Sequence, residues 1–99
     1  MSFVITHPAL LAAAASELQG IDRGVTAGNA AAAHPTTGVI PAAADEVSAL
    51  TAGQFAAHAA MYQAVSGLAA QLHDQFVTTL QGAAGSYAAT EAANAIATG

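Results

Sequence analysis

The stretch "HPTTGVIPAAADEV", His34 to Val47, decides how this chain folds. It holds Pro35, Gly38 and Pro41, and then Asp45 in place to cap whatever follows. Proline lacks a backbone donor and fixes φ, and glycine weakens a helix, so "HPTTGVIP" reads as a connecting loop. On either side the sequence turns to alanine, the best helix former, and neither flank shows the alternation of a strand. The reading is all-α. One helix is predicted over about 7–33, a loop over 34–44 and a second helix over about 45–83. A connection this short forces an antiparallel two-helix hairpin.

Working outward, Thr6 offers an N-cap hydroxyl ahead of Pro8, whose missing N–H costs nothing in the first helical turn. At the other end "GAAG", Gly82 to Gly85, follows Leu80 and reads as a helix stop, which leaves residues 84–99 as a C-terminal tail. With 99 residues the chain is one domain at most, and most of its 55 % apolar content is alanine, with three Phe, two Tyr and no Trp. It is hydrophobic without being bulky.

The larger apolar residues follow helical periods. In the first helix Leu11, Leu18, Val25 and Ala32 recur every seven residues, with Ala14, Ile21 and Gly28 as a second row, a coiled-coil-like seam. In the second, Val47, Leu50, Ala57, Met61, Ala64, Leu68 and Leu72 trace one stripe. Phe55, Tyr62, Ala69 and Phe76 trace another, with Val65 and Leu80 at its edges. A two-helix hairpin can cover only one of these. The other would leave a long apolar surface in water, the mark of a protein interface, so the pattern asks for a partner that supplies more helices.

Charge narrows the function further. Arg23 is the sole Lys or Arg and the formal net charge is −5, so phosphate backbones are repelled and nucleic acid is no partner. "MSFVITHPAL" has neither the basic start nor the cleavage site of a secretory signal peptide, and every apolar run is too short for a membrane span. The absence of cysteine removes disulfides, thiolate nucleophiles and Cys-based metal sites. His58 and His73 are fifteen residues apart, roughly 22 Å along a helix, and cannot share an ion within the chain. Ser66 and Ser86 sit in no nucleophile elbow, and the carboxylates Glu17, Asp22, Asp45, Glu46, Asp74 and Glu91 are scattered. No catalytic, cofactor or metal site is expected.

Two smaller patterns remain. Gly20, Gly24 and Gly28, with Ser16 before and Ala32 after, recur at i+4 and read either as a close helix contact, within the hairpin or with the partner, or as compositional drift. Tyr87 and Glu91 in "YAATE" would project together from one helical face, a ring with a hydroxyl beside a carboxylate. In a disordered tail the same pair means little.

The start "MSFVITHPALLAAAA", the centre "AAAAHPTTGVIPAAADEVSALTAGQFAAHAAMYQ" and the end "GSYAATEAANA" resemble the mycobacterial PE family, in particular its short members that consist of the PE domain alone. One position departs from the pattern, since Pro8 is followed by Ala9 and not by the glutamate for which the family is named. The resemblance implies a hairpin that completes a four-helix bundle with two helices of a PPE-family protein. It also implies export of the pair through a type VII secretion system, with Tyr87 and Glu91 matching the YxxxD/E signal, to the cell surface or beyond after assembly in the cytoplasm. A chaperone is implied on the PPE subunit only. On this reading Leu11, Leu18, Ile21, Val25, Phe55, Met61, Tyr62, Leu68, Leu72 and Phe76 form the partner interface. The same stripes would also permit a homodimeric four-helix bundle, a structural protein of the envelope. A membrane-active helical protein is disfavoured by the lack of basic residues.

Overall fold

The computed structural model describes residues 5–99, so the first four residues of the quoted N-terminal stretch lie outside it. Two helices account for nearly all of these residues, α1 (Pro8–Thr37) and α2 (Glu46–Thr98), with no strand among them. The chain divides into two compact units. One joins the described residues up to Ile21 to His73–Gly99, and the other is Asp22–Leu72.

Both helix starts follow from local chemistry. Leu10 and Leu11 donate their N–H groups to the His7 carbonyl at 3.0 and 3.1 Å, which makes His7 the cap residue and Pro8 the first helical residue. Thr6 therefore does not cap α1 as expected. Its hydroxyl donates instead to Glu91. Asp45 caps α2 as predicted, with the Ser48 N–H on Oδ1 at 2.7 Å, the Ser48 hydroxyl on Oδ2 at 3.0 Å and the Ala49 N–H on its carbonyl at 3.1 Å.

Both helix ends lie further on than the punctuation suggests. Helix α1 runs past Pro35 to Thr37, where a loop from residue 34 was predicted. Past the proline the threonine hydroxyls bond back into the last turn: Thr36 donates to the Ala32 carbonyl and Thr37 to that of Ala33, each at 2.6 Å. The Gly38 N–H closes the last turn on the His34 carbonyl at 2.9 Å. Helix α2 continues through Gly82 and Gly85 to Thr98, so residues 84–98 are helix and not a tail. Each interior glycine costs only about 0.5–1 kcal/mol against alanine, and eight of residues 83–98 are alanine. Gly99 is the one described residue with a left-handed φ, at 82°.

Each unit pairs a stretch of α1 with a stretch of α2 through small side chains. In Asp22–Leu72 the buried residues are Ala52 and Ala59, with Ala56, Gln63, Ser66 and Ala70 half-buried beside them. In the other unit Ala15, Val77 and Ala84 are buried, with Leu11, Leu18, His73 and Leu80 half-buried. Along α2 these positions read 52, 56, 59, 63, 66, 70, 73, 77, 80 and 84, a strict 4-3 alternation. Small residues at such positions let helices approach closely. In the Asp22–Leu72 unit the large residues are left elsewhere, whereas Leu11, Leu18, Val77 and Leu80 pack at the seam of the other unit.

Candidate functional site

The residues expected at a partner interface fall mainly outside this seam. In the Asp22–Leu72 unit Phe55 is 64 % exposed, Met61 68 % and Leu72 66 %, with Val25, Tyr62, Val65 and Leu68 also more than half exposed. At about 100° per residue Phe55 and Tyr62 fall beside the seam and Val65, Leu72, Met61 and Leu68 continue round to the far face, so the two predicted stripes merge into one broad apolar flank that the hairpin itself leaves uncovered. The expectation that the hairpin would cover one of them is corrected here. Its own contact uses alanines at other positions. In the other unit Leu11 and Leu18 are half-buried against α2, while Ile21 and Phe76 are more than half exposed.

Polar clasps hold the helices in register inside each unit. The Tyr62 hydroxyl donates to Asn29 Oδ1 at 2.8 Å, and Gln63 Nε2 donates to the Asn29 carbonyl at 3.0 Å. In the other unit His73 Nε2 donates to the Leu18 carbonyl at 2.8 Å; a carbonyl can only accept, so this nitrogen carries the proton. The one sequence signal for Asn29, Gln63 and His73 in this role is a polar residue at a heptad seam position, and a seam traced through the larger residues misses it.

On the apolar flank of the Asp22–Leu72 unit lies an open groove of about 340 Å³, lined by Ala32, Pro35, Thr36, Val39, Phe55, His58, Ala59, Tyr62 and Gln63. The other side of the same seam is small and polar: Thr26, Asn29, Ala30, Gln63, Ser66, Gly67 and Ala70. The unit thus has one oily side and one wet side.

Gly20, Gly24 and Gly28 make no close contact within the chain. A Cβ built on any of them meets nothing within 4 Å. Of the two contacts expected for this row, the one within the hairpin is absent, because the α1 residues set against α2 are Leu11, Ala15 and Leu18 in one unit and Asn29 in the other.

Tyr87 and Glu91 lie one turn apart on helical α2, with Tyr87 47 % exposed and Glu91 exposed. Glu91 also accepts the Thr6 hydroxyl. Ala9, which stands where a glutamate was expected, is exposed at the start of α1 and borders a shallow groove with Ala84, Gly85 and Ala88. Among the described residues no three His, Asp or Glu side chains come together, and no helix is long and apolar enough to cross a membrane.

Comparison with known proteins agrees with the resemblance read from the residues. The model of the PE family matches residues 4–94. The PE family protein PE13 of Mycobacterium tuberculosis is 68 % identical over 97 residues, which cover 98 % of each chain. The PE-PGRS family protein PE_PGRS33 of the same species is 58 % identical over 95 residues, 96 % of this chain but only 20 % of that protein. The PE-PGRS family protein PE_PGRS8 of that species is 54 % identical over 95 residues, or 54 % of its length. With the family model spanning both helices and a relative matched from end to end, the chain belongs to the PE family.

Proposed function

We propose that this chain is a non-catalytic interaction subunit, the PE half of a heterodimer with a PPE-family protein, whose helices complete a four-helix bundle over its apolar flank. The observation that carries this reading is the exposure of Phe55, Met61, Tyr62, Leu68 and Leu72 on one side of one unit. Soluble monomers rarely leave so many large apolar side chains together in water. Covering each would contribute roughly 1.5–3 kcal/mol when fully removed from solvent.

The pair is exported through a type VII secretion system and acts at the cell envelope or outside the cell. Tyr87 and Glu91 are the export signal, the ring burying apolar area on a receptor and the carboxylate seeking a cationic or hydrogen-bonding group. Supporting this is their position beyond the last buried residue, Ala84, where both side chains are exposed. A chaperone engages the PPE subunit and not this chain.

The test is an immunoblot of culture filtrate against cell lysate for variants that still co-purify with a PPE-family partner. Tyr87→Ala abolishes export, Glu91→Ala reduces it, and Glu91→Asp retains it because the charge survives. Normal secretion of Tyr87→Ala would remove the signal assignment. A stable homodimer in isolation would replace the heterodimer with the self-sufficient bundle.

A further inference from the structure

One side-chain hydrogen bond joins residues near the two ends of the described chain, and the function proposed above makes no use of it. Thr6, half-buried just ahead of α1, donates its hydroxyl to Glu91 Oε1. Glu91 needs such a tether. From Gly85 to Gly99 every residue is exposed, so this end of α2 gains little from burial, and Gly82 and Gly85 weaken its root. Its alanines favour helix, yet a helix end held by propensity alone frays in water. Among the described residues no other side-chain hydrogen bond ties a residue beyond Gly85 to a different element; those of Thr98 reach only Asn94 and Ala95, in its own turn.

We propose that Thr6 is a positioning residue. Its bond to Glu91 latches the last turns of α2 to the segment that precedes α1 and keeps them helical, so that Tyr87 and Glu91 stay one turn apart on one side. The bond engages Oε1 and leaves Oε2 and the Tyr87 ring to face a receptor. The latch stands on geometry alone, whereas its role in presenting the pair rests on the export reading above.

Hydrogen exchange read by mass spectrometry tests it, on the full chain in the form in which it purifies. In Thr6→Val and in Glu91→Ala the amides from Ala88 to Ala95 should exchange roughly two- to tenfold faster than in wild type, as expected for loss of one partly solvated hydrogen bond. Thr6→Ser should match wild type, and the double variant should exchange no faster than the faster single one. Amides around Ala59, in the other unit, should not change. Unchanged exchange over Ala88 to Ala95 in Thr6→Val, or additive effects in the double variant, overturns the latch. Export separates the two readings. Normal secretion of Tyr87→Ala defeats the signal assignment, while faster exchange in Thr6→Val still upholds the latch. If Tyr87→Ala is blocked, poor secretion of Thr6→Val supports the positioning role and full secretion overturns it.

Discussion

Asp45 shows how much one residue can decide. Its carboxylate accepts the Ser48 N–H and the Ser48 hydroxyl, and its carbonyl accepts the first helical N–H, so α2 begins there and nowhere earlier. Those hydrogen bonds, the Ser48 backbone first and its hydroxyl second, hold the carboxyl below its ordinary value of 3.8. A folded-state pKa lowered in this way stabilises the fold above the unfolded value and ceases to do so as pH falls through the folded one. Thermal melts followed by circular dichroism should therefore lose this contribution only on the acid side of 3.8. Asp45→Asn should remove that part of the pH dependence and Asp45→Ala should lower the melting point at neutral pH; an unshifted melt in Asp45→Ala would mean that the cap is dispensable. At Val77, 2 % exposed, truncation to alanine should cost about 1.5 kcal/mol for the two methyl groups lost, measured by urea unfolding.

At the scale of the element, the large residues were legible and the contact was not. Phe55, Tyr62, Leu68 and Leu72 stand out by size, and a reading based on size places the hairpin seam under one of their stripes. The seam runs instead through Ala52, Ala59, Ala15 and Ala84, which a count of hydrophobic bulk passes over. The same physics extended both helices. Pro35 and Gly82 are breakers by propensity, but α1 ends only two residues past the first and a run of alanine offsets the second. A seam of small residues makes an unusual prediction about substitution. Ala59→Leu should destabilise the chain by roughly 1–3 kcal/mol through overpacking, whereas Phe55→Ala should change the stability of the unpartnered chain by about 0.5 kcal/mol or less. Urea unfolding of both variants decides it, and a larger loss in Phe55→Ala would place the seam under the aromatic flank after all. Gly24→Leu belongs here too. With nothing within 4 Å of its Cβ position, the variant should stabilise the unpartnered chain by up to about 0.8 kcal/mol through its better helix propensity, and any loss of assembly would locate a partner backbone against that face.

For the whole molecule the question is what covers the apolar flank. Family membership and the chain's acid balance were both readable from residues, one from the quoted motifs and the other from a single Arg23 against six carboxylates. The identity of the covering surface is not written in one chain, because an interface needs the complement of both sides. The proposed division of labour is that alanines hold the two helices together and the large side chains are reserved for the partner. Size-exclusion chromatography with light scattering, on the chain expressed alone and with a PPE-family protein, tests that division most directly. Alone, the chain should fold when dilute but self-associate into mixed oligomers as its concentration rises; co-expressed, it should elute as a soluble 1:1 species. A single monodisperse monomer or homodimer in isolation at every concentration would contradict the account.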